Sequence, residues 1–135
     1  MKVVGFNGAY LSSCEQSNVG VTSWTIIASL PIAVQGPAMV TLIGKAYAIG
    51  GHTGETSVSM YDGVSVWVAK AAMSPGRYGH TALALDDDRA LVCGGAGPLN
   101  TCVIYTASTD TWTTAPAMAQ ARNCFNLVMS EGMWP

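Results

Sequence analysis

The chain has few charged residues and few histidines. Of its 135 residues, 10% are Asp, Glu, Lys or Arg, and two are histidine. The six Lys and Arg against eight Asp and Glu give a net charge of −2, which excludes the basic surface that nucleic-acid binding requires. The longest apolar stretches, such as 24–34, are interrupted by Ser, Thr and Pro and are too short to span a bilayer. We therefore expect neither nucleic acid nor a membrane as a partner.

Motifs of catalysis are also missing. The sequence has no Ser-His-Asp order, no H-E-x-x-H motif and no glycine-rich phosphate loop leading into a helix. The acidic run at 86–88 lacks the spacing of a calcium loop, so a solvated hairpin turn is the better interpretation. His80 stands where a strand begins, which favours a structural role. We expect no enzyme, no cofactor and no metal site.

Four cysteines are present, Cys14, Cys93, Cys102 and Cys124, with no C-x-x-C pair among them. Two disulfides and a metal site are two interpretations of these cysteines that stay open. Buried, reduced thiols that pack as small hydrophobic groups fit better. Cys14 and Cys102 each stand ten residues before a tryptophan, so they hold equivalent places in different repeats and would lie too far apart to form a disulfide with each other. Reduced thiols predict a reducing compartment, and hence the cytoplasm.

What the sequence does have is an internal repeat. Trp24, Trp67 and Trp112 stand 43 and 45 residues apart, and the pair Gly50-Gly51 recurs as Gly94-Gly95. A period in the 40s is typical of repeat architectures in which each unit forms one small sheet. We place the units at roughly 1–45, 46–89 and 90–135, within a single domain that covers 1–135.

Each unit predicts four short strands. In the best-formed unit we expect strands over 81–85, 90–93, 101–106 and 111–114, all rich in apolar, β-branched or aromatic residues. No segment has the pattern of an amphipathic helix. The paired glycines at strand ends indicate a backbone that needs positive φ or a close neighbour. The predicted class is all-β.

A strand ending in two glycines, a tyrosine (Tyr61, Tyr105) about ten residues later and a tryptophan beyond it together resemble the kelch motif. The resemblance covers essentially the whole chain, although Phe6 replaces the second glycine and Ser17 the tyrosine in the first unit. It implies a kelch-type β-propeller, with three four-stranded antiparallel blades per chain around a central channel. In such a fold the three repeated tryptophans should be buried between blades. A β-sandwich with accidental glycine pairs is the alternative.

Three blades do not close a ring, since propellers have four to eight. Alignment of Gly5 with Gly94 and of Arg122 with Arg77 predicts that the chain starts at a second strand and ends at a first strand. The chain is then either half of a six-bladed ring completed by a second copy or a fragment of a longer propeller. We expect the homodimer, in which the last strand of each chain becomes the innermost strand of its partner's first blade.

Some kelch adaptor proteins place arginines at the channel mouth, where they bind acidic peptides. The resemblance implies this role for Arg77 and Arg122, with Val34 or Gln35 at the matching place of the first unit. The equally weighted alternative is that each arginine binds backbone carbonyls of its own blade. The full set of candidate binding residues is Arg77, Tyr78, Arg122, Asn123, Gln35 and His52, beside the loops 6–10, 52–57 and 96–100.

The function expected from this resemblance is non-enzymatic binding of a protein or acidic peptide through the loops and the channel mouth. Two alternatives stay open. One is a carbohydrate-binding or carbohydrate-active propeller, similar to galactose oxidase or to sialic-acid-processing enzymes. The other is a structural or designed half-propeller with no ligand.

Overall fold

The computed structural model describes residues 2–6, 10–18, 20–97 and 99–130, with the backbone alone for 2–6, 10 and 11. Eleven strands form three antiparallel sheets, and this part of the chain contains no helix, so none that could cross a membrane. The first sheet has β1 (Lys2–Phe6), β2 (Tyr10–Ser17) and β3 (Trp24–Ile27). The second has β4 (Ala38–Leu42), β5 (Lys45–Ile49), β6 (Val58–Tyr61) and β7 (Trp67–Ala69). The third has β8 (Thr81–Ala84), β9 (Arg89–Cys93), β10 (Cys102–Thr106) and β11 (Thr111–Ala115).

Each sheet is a simple meander in which strands that follow one another in sequence are neighbours in space. The all-β class and the kelch-like sheets are therefore confirmed, and the four strands predicted for the best-formed unit agree to within one residue at each end. Strands β4 and β8 lie close together, so the second and third sheets adjoin at their first strands.

The first sheet differs from the other two because it has three strands. Its β1 corresponds to β5 and β9, which are second strands, so the strand it lacks is the first one. Residues 126–129 match β8 in the repeat but form no strand, as is true of all of 116–130. The predicted closing strand, like the unit boundaries, stays a prediction.

The sheets pack face to face through apolar side chains. One core lies between the second and third sheets, where the rings of Tyr47 and Tyr105 are 5.7 Å apart. Its buried members are Val40, Leu42, Tyr47, Ile49, Val58, Met73, Ala90, Val92, Val103 and Tyr105. A second core lies between the first and second sheets and contains Cys14, Leu30, Val34, Ala48, Tyr61 and Trp67.

The repeated tryptophans have three different environments. Trp67 is 7% exposed and its Nε1 donates to the Ala28 carbonyl in the preceding repeat, 2.9 Å away. Trp112 is half-buried and donates to the Ala71 carbonyl at 2.9 Å. Trp24 is 44% exposed. Within the described part of the single chain, the predicted burial is confirmed for Trp67, partly met by Trp112 and not met by Trp24, because no described sheet covers that side of the first sheet.

The cysteines correct one expectation. Cys93 and Cys102 are cross-strand partners on β9 and β10, and they form a disulfide with their Cα atoms 4.2 Å apart. Cys14 is a buried free thiol, as expected, and Cys124 is free but exposed. The prediction of four reduced thiols is therefore wrong for two of them, and the argument for a reducing compartment loses its support.

Candidate binding face

One end of the sheets is built from two kinds of segment, and we call it the loop face. Loops 50–57 and 94–101 connect second to third strands there, and segments 34–37, 77–80 and 122–125 approach the next repeat beside them. The Gly51 amide donates to the Arg77 carbonyl at 3.0 Å, and the Gly95 amide donates to the Arg122 carbonyl at 2.8 Å. The same backbone arrangement therefore occurs twice, once beside each glycine pair.

The first glycine of each pair allows this close approach. Gly50 has a φ of 64° and Gly94 a φ of 70°, both in the left-handed region. A Cβ at Gly50 would lie 2.7 Å from the Arg77 carbonyl oxygen, and one at Gly94 would lie 2.5 Å from that of Arg122. Both reasons expected for these glycines, a positive φ and a close backbone neighbour, therefore apply.

Arg77 is fully buried beneath the loop face. Its guanidinium donates through Nη1 to the carbonyls of Gly94, at 2.8 Å, and Thr101, at 2.9 Å, and through Nη2 to the Thr101 hydroxyl at 2.8 Å. Burial lowers the pKa of this guanidinium from its ordinary value. The structure thus favours the second of the two readings left open for Arg77, in which it binds backbone carbonyls of its own sheet.

Three of the other candidates meet on the surface. Gln35 and His52 exchange backbone hydrogen bonds of 3.2 and 2.9 Å, which tie the first connecting segment to loop 50–57. The His52 ring stands edge-on to the Tyr78 ring with centroids 4.9 Å apart. Tyr78 is 39% exposed and Gln35 is exposed, so this group presents aromatic and amide surface to solvent.

Arg122 and Asn123 extend the same face over the third sheet. The Arg122 amide donates to the Leu99 carbonyl at 3.0 Å, and both side chains are exposed. A Cβ at Gly79, the neighbour of Tyr78, would lie 3.6 Å from Asn123 Cβ. Five of the six candidates therefore form an exposed or half-exposed surface, and Arg77 lies below it. Residues 7–9 of loop 6–10 and residue 98 of loop 96–100 lie outside the described residues.

An apolar cavity of about 260 Å³ adjoins this surface. It is lined in part by Val34 and Pro37, which flank Gln35, and by Gly50, which precedes His52 by two residues. Its wall also contains Leu30, Ile32 and Ala48. The cavity can accept an apolar side chain of a ligand next to the surface formed by Gln35, His52 and Tyr78.

The second histidine has a structural environment. His80 is 9% exposed, and its Nε2 lies 2.8 Å from the Ile49 carbonyl, so this nitrogen carries the proton and donates. Burial lowers the pKa of His80, which favours the neutral ring. The run at 86–88 is a hairpin turn, as predicted, with Asp86 accepting from the amides of Asp88 and Arg89. The described residues hold no cluster of three or more His, Cys, Asp or Glu suited to a metal ion.

Asp110 connects the second and third sheets, a role that the sequence analysis did not predict. Its Oδ1 accepts from the Ala71 amide at 2.9 Å and from the Tyr105 hydroxyl at 2.7 Å, so it joins the second sheet to the third. These two hydrogen bonds, from Ala71 first, lower the pKa of the Asp110 carboxyl. Burial is the main cause that raises the pKa of Tyr105. No repeated pattern marks this aspartate.

Comparison with known proteins adds two matches. Kelch-like protein 34 of Homo sapiens is 28% identical over 95% of this chain. Kelch-like protein 41a of Danio rerio is 27% identical over 86% of it. The chain spans 21% and 20% of the length of these two curated relatives. No protein-family model matches the chain.

Proposed function

Because the chain is a relative of the kelch-repeat proteins, we propose that it is a non-enzymatic protein-interaction module whose loop face binds a protein or acidic peptide. One observation carries the proposal. Exposed or half-exposed side chains from loop 50–57 and from all three connecting segments lie together on one surface beside an apolar cavity. The cytoplasm stays a proposal that the Cys93–Cys102 disulfide does not support, because disulfides are rare in that compartment.

The charge for an acidic ligand comes from Arg122. Arg77 is occupied by three hydrogen bonds to its own sheet and is not accessible. Arg122 is exposed, and its planar guanidinium suits two parallel hydrogen bonds to a carboxylate. The sequence predicted the channel-mouth role for both Arg77 and Arg122. We now propose it for Arg122 alone.

Glu55 opposes this charge. It lies in loop 50–57 and is half-buried, and its Oε1 accepts from the Thr53 amide at 3.3 Å. A carboxylate on the binding face repels an acidic ligand and limits its affinity. The face therefore contains one group expected to strengthen acidic-peptide binding and one expected to weaken it.

A peptide-capture experiment tests the proposal. An immobilised library of acidic peptides, each containing one apolar residue, is incubated with the wild type and with Arg122→Ala, Tyr78→Ala and Glu55→Gln. We expect Arg122→Ala to weaken capture roughly tenfold, which is about 1.4 kcal/mol. Tyr78→Ala should also weaken capture, and Glu55→Gln should strengthen it. Capture should fall with added salt, because exposed charges are screened over about 10 Å at 0.1 M salt.

Arg89→Ala is the matched control. Arg89 is a second exposed arginine, paired with Asp86 at 2.8 Å in a turn at the opposite end of the third sheet. Its removal should leave capture unchanged. Equal capture by wild type, Arg122→Ala and Tyr78→Ala would overturn the proposed site.

We propose in addition that two copies form a six-sheet ring, within the range of four to eight blades found in propellers. Cys124 has a φ of 51°, close to the 67° of Gly79 and 63° of Gly36 at the matching positions. The left-handed φ at Cys124 and the hydrogen bond from the Gly95 amide to the Arg122 carbonyl thus repeat two features of segment 77–80, which leads into a first strand. In the proposed ring, residues 126–129 pair with β1 of the second copy, as β8 pairs with β9.

A further inference from the structure

The first sheet has an exposed surface on the side away from the second sheet, which we call the first-sheet face. Trp24 and Ile26 are two residues apart on β3 and point to the same side, and Glu15 is the cross-strand partner of Ile26. Trp24 is 44% exposed and Ile26 77% exposed. Large apolar side chains at adjacent positions of one sheet face are usual in interfaces.

The third sheet has the opposite surface open, which we call the third-sheet face. Leu91 and Ile104 are half-buried cross-strand partners there, and the Cys93–Cys102 disulfide lies beside them. Met118, Phe125 and Leu127 from the segment after β11 pack on this face but do not cover it completely. Tyr47, at the position of Leu91 in the second sheet, is 2% exposed because the third sheet covers it.

The two junctions inside the chain follow one rule. The indole of each tryptophan donates to the carbonyl four residues after the tryptophan of the preceding repeat. Trp67 reaches Ala28, four residues after Trp24, and Trp112 reaches Ala71, four residues after Trp67. Both bonds are 2.9 Å long.

Applied once more, the rule identifies a donor, Trp24, and an acceptor, the Pro116 carbonyl, and both residues are exposed in the described chain. Pro116 stands four residues after Trp112, and its carbonyl takes the place of Ala28 and Ala71. We propose that the first-sheet face docks on the third-sheet face of a second copy, with Trp24 Nε1 donating to the Pro116 carbonyl. This inference rests on the proposed ring and identifies its interface.

A second copy is the occupant that fits both faces. Each open face corresponds to one side of a junction that already exists within the chain, so two copies form two identical new junctions and leave neither face exposed. Glu15 is a poor match among the described residues, because its counterparts in the internal junctions are Ser59 and Val103. A carboxylate facing apolar side chains weakens an interface.

The experiment measures mass by light scattering across about 1 to 500 µM protein, since association follows mass action. We expect the wild type to approach twice the 14.0 kDa chain mass as its concentration rises. Trp24→Ala should raise the dimer dissociation constant at least about tenfold. Ile104→Ser, on the other face, should do the same, and Glu15→Val should lower the dissociation constant.

Val64→Ser is the matched control. Val64 is 82% exposed in the turn before β7, away from both faces, and its replacement should not change the mass. Circular dichroism of dilute Trp24→Ala should match the wild type, because Trp24 is exposed in the single chain. A wild type that stays monomeric throughout, or a dimer that Trp24→Ala does not weaken, would overturn the inference.

A mixing experiment tests that unlike faces meet. Trp24→Ala keeps an intact third-sheet face, and Ile104→Ser keeps an intact first-sheet face, so a mixture should form a heterodimer through one intact junction. Absence of the heterodimer would contradict the pairing of unlike faces. Acidic-peptide capture by the same variants separates the two proposals, because the loop face is present in the monomer and should bind peptide whether or not the ring forms.

Discussion

Trp67 and Trp24 hold the same place in consecutive repeats, yet one is 7% exposed and the other 44%. The difference comes from the neighbouring sheet. The first sheet covers Trp67 and supplies the Ala28 carbonyl, whereas no sheet among the described residues adjoins the side of Trp24. A repeated residue therefore specifies one half of a junction, and its environment is complete only where the other half is present.

The two arginines show the same contrast. Arg77 is fully buried and donates to Gly94 and Thr101 within the third sheet, which it precedes. Arg122 is exposed, because no further sheet follows it in the described chain. Equivalent sequence positions thus give a structural arginine in one case and an accessible cation in the other.

The largest effect should come from removing the covered tryptophan. We expect Trp67→Ala to lower the free energy of unfolding by about 3 to 5 kcal/mol, because it opens a cavity in the core and leaves the Ala28 carbonyl without its donor. Trp24→Ala in dilute protein should cost less than about 1 kcal/mol. Urea denaturation measures both. Similar losses in the two variants would show that the environments do not differ as described.

Arg77 and Arg122 provide the next comparison. Arg77→Ala removes three hydrogen bonds from buried or partly buried acceptors and should cost about 3 kcal/mol. Arg122→Ala should change stability by less than about 0.5 kcal/mol. Arg77→Lys tests the geometry, since an ammonium group cannot reproduce the two-pronged contact. An Arg77→Ala protein as stable as wild type would mean that the buried guanidinium is not structural.

Cys102 and Cys14 occupy matching positions, but only Cys102 has a cysteine opposite it, since Cys14 faces Val4. Reduction of the wild type should lower the free energy of unfolding by about 2.5 kcal/mol, as expected for a short disulfide loop. Cys93→Ala/Cys102→Ala should be insensitive to the reductant. Thiol titration of the unreduced, unfolded protein should find two free thiols, Cys14 and Cys124. Four would contradict the disulfide.

A smaller effect concerns the pH dependence of the junction at Asp110. The hydrogen bonds from Ala71 and Tyr105 hold its pKa below the ordinary value of 3.8. Its charged form therefore contributes stability above about pH 3.8, and this contribution is lost as the pH falls through the folded-state pKa. Asp110→Asn keeps the acceptor and tolerates the φ of 51°. The wild type's advantage over this variant should shrink on acidification, and a constant difference in stability would contradict the assignment.

Local features of the fold were predictable because they repeat. The glycine pairs mark strand ends where positive φ and close backbone approach exclude a side chain, and the tryptophan period fixes the number of sheets. These signals are properties of a single repeat. They were sufficient to predict the four strands of the third sheet, whereas the role of Gln35, His52 and Tyr78 as binding residues stays a prediction.

Features that depend on two neighbouring segments were not predictable in the same way. The burial of Arg77 and the exposure of Trp24 depend on which sheet adjoins each residue. The Cys93–Cys102 pair is set by the β9–β10 register, and the signal available in the sequence was that both cysteines flank one predicted hairpin loop. Asp110 is unrepeated, so periodicity gave no indication of its contacts to Ala71 and Tyr105.

Hydrogen exchange of the indole N–H groups, followed by NMR and assigned with single Trp→Phe variants, tests most directly whether a neighbouring sheet determines the environment of each tryptophan. In dilute protein we expect slow exchange for Trp67 and Trp112, whose indoles are hydrogen-bonded, and fast exchange for Trp24. As the concentration rises and the second copy docks, Trp24 should become protected as well. Exchange at Trp24 that is equally slow at all concentrations, or equally fast at all of them, would contradict the protection of Trp24 by a neighbouring sheet of the second copy.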